Sequence, residues 1–196
     1  MQQIYYLAIF SLGIATYASF VIQMLKNEYS PSFFTRGVWF LLGVNSFAGV
    51  LLGDGSLPSV ILASTLFAGN AVVFIVSYKK GSREFGSIEK VSLALLIISA
   101  VMWSVLDAPF LSLIMSLLAH FIGGMPTIWR AVKKTSSEQA YHWYFFFAAS
   151  ILSFISSEEK TLTAVLFPIY FIFFDGLIIL LVNRKKLFHL ILTKRT

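Results

Sequence analysis

The tetrapeptide Trp39-Phe40-Leu41-Leu42 returns about 104 residues later as Trp143-Tyr144-Phe145-Phe146. Around it Lys26 falls on Arg130, Ser32 on Ser136, Ser46 on Ser150 and Asp54 on Glu158. With one extra residue allowed in a short loop of the second copy, Asn70 falls on Asp175, and Lys79 and Lys80 on Arg184 and Lys185. Each copy holds three apolar runs, and a further run, roughly 91–106, lies between them. An odd spacer helix gives the second triplet the same membrane orientation as the first. The expectation is therefore an all-α membrane protein of seven transmembrane helices, built as two parallel three-helix repeats around a linker helix. Parallel repeats are one of the two repeat classes found in secondary transporters.

A bilayer is required because 58% of the 196 residues are hydrophobic and only 12% are charged, with a mean hydropathy of +0.82. A soluble domain of this size has too little interior to hide so much apolar surface. Seven spans of about 20 residues leave only short loops, so the chain reads as one membrane domain without a soluble catalytic module. Its parts are a first repeat at 3–80, the linker helix at 91–106, a second repeat at 108–185 and a basic tail at 186–196. The absence of cysteine excludes disulfides, thiolate metal sites and cysteine nucleophiles. The first apolar run, Ile4 to Leu25, has no basic residue ahead of it and is too long for a signal-peptide core, so it reads as a retained span.

The spans are expected near 3–25, 37–53, 58–78, 91–106, 108–129, 143–157 and 162–182. Fourteen of the fifteen Lys and Arg residues lie in the 26–36, 79–90 and 130–142 loops and in the tail. The alternate loops hold Lys160 against Asp54, Asp107, Glu158 and Glu159. By the positive-inside rule the N-terminus is outside and the C-terminus cytoplasmic, in a bacterial inner membrane. The same asymmetry accounts for the net charge of +6, so no nucleic-acid partner is expected. Residues 183–196 read as a topology anchor with a frayed end, or as a helix lying in the headgroup plane. Tyr29, Trp39, Tyr78, Trp129, Tyr141 and Trp143 fall near basic ends and read as interfacial belt residues. Gly49 and Gly53 form a GxxxG spacing suited to close helix contact.

Polar side chains in hydrocarbon are costly, and four stand out. Asn45 lies nine residues beyond Arg36, Asn70 nine before Lys79, His120 ten before Arg130 and Asp175 nine before Arg184. At 1.5 Å per residue, all four sit about 13 to 15 Å from the basic boundary, close to the midplane. Substrate and coupling-ion sites of repeat-built transporters occupy that level. Each residue also has a plainer reading. Asn45 and Asn70 serve equally as hydrogen-bonding glue between helices, and His120 as a neutral interior histidine. Asp175 is hardest to explain away, because an aspartate so deep must be paired, protonated or facing water. Such a group suits reversible protonation, with His120 as its expected partner.

Prolines set a second level of interest. Pro126 follows Gly123 and Gly124, and Pro168 interrupts the seventh span, so both are candidate hinges that free backbone carbonyls. Pro31 and Pro58 are expected in turns.

These residues together resemble the PQ-loop and SWEET-like superfamily, whose members have two three-helix repeats around a linker helix, N-terminus outside and C-terminus inside. The family's proline-glutamine pair ends the first helix of each repeat ahead of a basic loop. The equivalent sites here read Ile22-Gln23 and Pro126-Thr127, so each copy keeps half of the motif. The stretch GMPTIWRAVKK from Gly124 to Lys134, followed by Ser137, Glu138 and Trp143, is similar to a bacterial branch of that superfamily. The resemblance spans roughly residues 5 to 186. It implies that the third helix of each repeat supplies a polar side chain to a binding pocket. Asn70 fits that pattern, whereas Asp175 stands where sugar carriers have asparagine. Acidic residues in the last helix of lysosomal PQ-loop exporters imply proton coupling at Asp175. The superfamily also contains receptors that bind cargo without moving it.

The expected function is a small-solute transporter for a sugar, amino acid or amine, proton-linked through Asp175. The alternative is a non-transporting membrane receptor or assembly partner of the same fold. Asn45, Asn70, His120 and Asp175 are the expected substrate-binding residues, with Gln23, Pro126, Thr127 and Pro168 as motif and hinge positions. No enzyme, metal or cofactor motif is present: there is no HExxH, P-loop or dinucleotide fingerprint, and no lysine in 162–182 for a retinal Schiff base. Two complete triplets make a monomer sufficient.

Overall fold

The computed structural model describes residues 2–83, 86–106, 108–133 and 141–193. They form seven α-helices: α1 (Gln2–Leu25), α2 (Phe33–Leu52), α3 (Leu57–Lys80), α4 (Ser87–Leu106), α5 (Pro109–Lys133), α6 (Tyr141–Ser156) and α7 (Leu162–Thr193). Among the described residues the only β-type pairing is one isolated bridge between Ser32 and Ser82. Asp107, Ser136, Ser137 and Glu138, singled out in the sequence, lie outside the described residues.

Five helices are long and apolar enough to cross a bilayer, namely α1, α2, α3, Phe110–Trp129 of α5 and Ala164–Arg184 of α7. The chain is thus all-helical among its described residues, with five helices suited to membrane integration. The sixth expected span is present as α6, but its 16 residues reach only about 24 Å, against a hydrocarbon core of about 30 Å.

Local chemistry sets the helix ends. Asn27, with φ 58°, ends α1 in the left-handed region that asparagine tolerates better than most side chains. Ser32 caps α2 by accepting from the Thr35 amide at 3.3 Å. Gly53 caps the other end of α2, its N–H on the Gly49 carbonyl. Pro58 stands in the first turn of α3 and not in a turn between helices, a place where its missing N–H is harmless. The α1–α2 loop is tied to the end of α3: the Ser82 amide donates to Pro31 O at 3.0 Å and the Phe33 amide to Ser82 O at 2.8 Å.

In the bundle, α3 packs against both α1 and α2, and α7 packs against both α5 and α6. Between these groups α1 lies on α6 and α2 on α5, while α4 rests on α5 and α2. Missing side chains let the helices approach closely. A Cβ on Gly69 would meet the Tyr17 ring at 2.0 Å, and one on Gly124 would meet the Phe174 ring at 2.5 Å. One apolar cluster (Ile9, Leu62, Leu66, Leu113, Phe146, Phe167) fills the half nearer the acidic loops. A second, with Phe20, Met24, Trp39, Trp143 and Phe174, fills the half nearer the basic loops.

Three further expectations change. Trp39 and Trp143 are buried in the second cluster and are not belt residues, whereas Tyr78 and Trp129 are exposed as a belt requires. The expected frayed tail is helical, because α7 runs unbroken to Thr193. Pro168 does not interrupt α7 either. The carbonyl it leaves without an intrahelical donor, that of Ala164, accepts instead from Ser59 Oγ on α3 at 2.6 Å. A neighbouring hydroxyl thus satisfies the freed backbone group, as an apolar surrounding demands. Ser59→Ala should therefore lower unfolding stability in detergent by about 1 kcal/mol, the loss of the shorter of two hydrogen bonds on that carbonyl, since Ser56 Oγ also reaches it at 3.4 Å. The check is whether Ser59→Ala becomes neutral when Pro168→Ala restores the N–H. An equal loss in both backgrounds would remove the link between the two residues.

Candidate functional site

Three of the four polar residues of the sequence layer converge on one central cavity. Its walls come from α1 (Thr16, Tyr17, Phe20), α2 (Arg36, Trp39), α3 (Asn70), α5 (His120), α6 (Trp143, Phe146) and α7 (Phe171, Asp175). The free space these side chains leave is narrow, about 20 Å³, roughly the room of one water molecule. All of these residues except Tyr17 are buried, so the cavity is occluded. Among the described residues six helices contribute to it and α4 does not.

Asn70 donates to Tyr17 Oη at 3.3 Å and back to its own helix at Leu66 O, 3.0 Å away, which leaves its Oδ1 without a partner. Asp175, only 1% exposed, carries an Oδ2 that likewise bonds nothing. His120 does not pair with Asp175 as expected. Its Nδ1 lies 2.8 Å from Tyr170 Oη, and its ring packs 4.7 Å from the Trp39 ring. With a tyrosine as partner, the imidazole is held in place without the aspartate.

Asn45 is elsewhere. Its Nδ2 donates to Ser99 Oγ on α4 at 2.6 Å and to Ser112 Oγ on α5 at 3.1 Å, and it also contacts Ser116 Oγ. Ser99 in turn reaches Ser112 O at 2.7 Å. This closed polar cluster clamps α4 onto α2 and α5. The reason is rotational: nine residues are two and a half turns, so Asn45 and Arg36 point to opposite faces of α2. Common depth did not guarantee a common cavity.

Arg36 is the residue that the sequence reading missed, having assigned it to the boundary loop. It belongs to the first turn of α2 and is only 3% exposed. Its Nη2 donates to Tyr29 Oη at 2.5 Å, and the guanidinium lies over the rings of Phe20, Tyr29 and Trp39 at 5.1, 5.5 and 4.8 Å. These faces offset part of the cost of burying the charge. Its Nε and Nη1 have no partner. The indole Nε1 atoms of Trp39 and Trp143 are also buried without acceptors. The repeated tryptophan was the available signal for two of these walls, since the repeat places it at equivalent points of two helices.

Two outer pockets flank the cavity. One, of about 540 Å³, lies at the basic end and includes Tyr29, Thr35, Arg36, Trp39, Glu89, Gly123 and Thr127. Arg36 and Trp39 thus form the partition between it and the cavity. The other, also about 540 Å³, lies at the acidic end, lined by Tyr6, Asp54, Ser56, Glu158 and Glu159. Each end carries a hydrogen-bonded tie. Gln23 Nε2 on α1 donates to Tyr141 Oη on α6 at 2.6 Å and lies 3.4 Å from His142 Nδ1. At the other end Ser56 and Ser157 hydroxyls are 2.7 Å apart. Thr127 is buried beside the basic-end pocket, and α5 continues through Pro126 as an unbroken helix. Among the described residues no group of His, Asp and Glu side chains is placed to hold a metal ion.

Comparison with protein-family models, with curated proteins and with solved structures finds no match to this chain.

The Asn45 cluster and the cavity should separate experimentally. Asn45→Ala should lower unfolding stability by about 1 kcal/mol, as expected for an interhelical hydrogen bond in a membrane bundle. Ligand affinity and flux should be unchanged. A loss of affinity at unaltered stability would put Asn45 back in the binding site.

Proposed function

We propose that the chain is a small-solute transporter of the SWEET-like kind, in which two three-helix repeats rock about the central cavity with α4 as linker. The observation that carries this reading is the occluded polar cavity walled, among the described residues, by α1, α2, α3, α5, α6 and α7 and not by α4. The packing pattern supports it: α3 with α1 and α2 is matched by α7 with α5 and α6, and the two groups meet through α1–α6 and α2–α5. The repeat seen in the sequence thus has a counterpart in contacts. Gln23 with Tyr141, and Ser56 with Ser157, span the two repeats at opposite ends and act as the two gates. Breaking one tie while keeping the other is the elementary step of alternating access.

On this reading the basic end faces the cytoplasm, and the occluded cavity stands nearer to opening there. Arg36 and Trp39 alone border both the cavity and the basic-end pocket, whereas the apolar layer of Ile9, Leu62, Leu66 and Phe167 underlies the acidic end. Asn70, Arg36 and Asp175 hold substrate. Asp175 is the coupling group, facing Tyr17 of α1, Arg36 of α2 and His120 of α5 across the cavity. Pro126 and Pro168 are the points where α5 and α7 bend, since each lacks one rung of its helix ladder.

Purified protein in proteoliposomes, offered labelled sugars, amino acids and amines, should show saturable flux. A pH gradient should drive accumulation. Asp175→Asn should abolish that accumulation while leaving substrate exchange largely intact, because the amide keeps the volume and hydrogen-bonding capacity but cannot cycle a proton. Saturable binding with no flux in any direction would favour a receptor. Accumulation in Asp175→Asn equal to that of the parent would remove the coupling role.

A further inference from the structure

The unpartnered atoms of the cavity form two chemically opposite sets. Arg36 presents Nε and Nη1 as free cationic donors, and the Trp143 indole adds a neutral one. Asp175 Oδ2 and Asn70 Oδ1 are free acceptors. All four side chains are more than nine-tenths buried and line the same walls. Buried polar atoms are nearly always bonded, so a cluster of exceptions in one cavity needs a physical reason. The obvious repair within the protein, an Arg36–Asp175 ion pair, is not made: Nη2 bonds Tyr29, and the other guanidinium nitrogens bond nothing. A bound molecule that satisfies both sets must accept at one end and donate at the other.

Resting on the transport reading above, we propose that the substrate is a small zwitterion of the α-amino acid class, its carboxylate on Arg36 and its ammonium on Asp175 and Asn70. A sugar is a poor match, since its hydroxyls leave the guanidinium and the carboxylate unneutralised in a low-dielectric site. A simple monocarboxylate satisfies Arg36 but leaves two acceptors bare. An amine does the reverse. A zwitterion neutralises both charged groups and adds no net charge to the buried site. The aromatic walls, Phe20, Trp39, Phe146 and Phe171, surround the side chain with apolar surface and favour neutral over charged ones.

Equilibrium binding to the full chain in nanodiscs tests this without requiring flux. The probes are L-alanine, L-leucine, propionate, propylamine and glucose. One or both amino acids should bind saturably, and each single-charge analogue should bind about 30-fold more weakly or worse, as expected when one buried charge loses its partner. Arg36→Gln should erase the preference for alanine over propylamine, and Asp175→Asn the preference for alanine over propionate. Arg36→Lys, which keeps the charge, should retain part of the first preference and controls for folding. No saturable amino-acid binding by the parent overturns the proposal, as does propionate or glucose binding as tightly as alanine. Unchanged selectivity in folded Arg36→Gln would also overturn it. Amino-acid binding without flux would sink the transport reading and leave this one standing; flux of sugars alone would do the opposite.

Discussion

A guanidinium and a carboxyl group share one closed cavity and do not bond each other. Each is costly to bury, and their mutual attraction across a low-dielectric interior would repay much of that cost if they met. The fold holds them apart by bonding Arg36 elsewhere, to the Tyr29 hydroxyl and to three aromatic faces. Those contacts come from the α1–α2 connection, from α1 and, through Trp39, from α2 itself. The position of the charge therefore depends on the loop pinned to α3 by the Ser32–Ser82 bridge. The packing of the basic half of the bundle follows from the same requirement. Phe20 and Trp39 belong at once to the apolar cluster and to the cage around the cation.

Much of this architecture was legible in the chain because a bilayer leaves few choices. Long apolar runs had to be helices, since nothing else satisfies the backbone without water. All seven expected runs are helical, and the depth arithmetic brought Asn70, His120 and Asp175 to one cavity. What depth cannot supply is azimuth. Asn45 has the same depth and opposite facing, so it joined Ser99 of α4 and Ser112 and Ser116 of α5 instead. Arg36 failed in the other direction. A cation near a span end ordinarily marks the interface, but the rings of Phe20 on α1 and Tyr29 in the α1–α2 loop, with Trp39 one turn on in α2, drew it inside. Within residues 33–39 only Trp39 belongs to that cage, and its partners Phe20 and Tyr29 are not legible from it.

Proline gave a related lesson. Read alone, Pro168 is a break; in the bundle it is a missing donor made good by Ser59, which lies on a different helix and far away in sequence. The serine was invisible as a partner because small hydroxyl residues are frequent in membrane helices for many reasons. Its contact matters for the proposed mechanism. A carbonyl held by a side chain of α3 is less firmly fixed than one in an intact ladder, and α7 can flex there without exposing a polar group to lipid. The same contact lies near the Ser56–Ser157 tie, so bending of α7 and loosening of that end are mechanically linked.

Under the transport reading proposed above, the unbonded atoms bear on the cycle. An empty occluded cavity with free donors on one wall and free acceptors on the other is poorly stabilised compared with a filled one. A protein built this way closes readily around a ligand that satisfies both walls and reluctantly without it. Coupling between binding and closure then needs no separate device, because the differential stability of the filled and empty occluded states supplies it. Asp175 adds a second route to the same end. Protonation removes one of the two charges that emptiness leaves unpaired, so a proton lowers the cost of closing without substrate. On that reading the balance between the two routes would decide whether the cycle exchanges one solute for another or returns empty, and the hold of Tyr29 and the aromatic cage on Arg36 would set it.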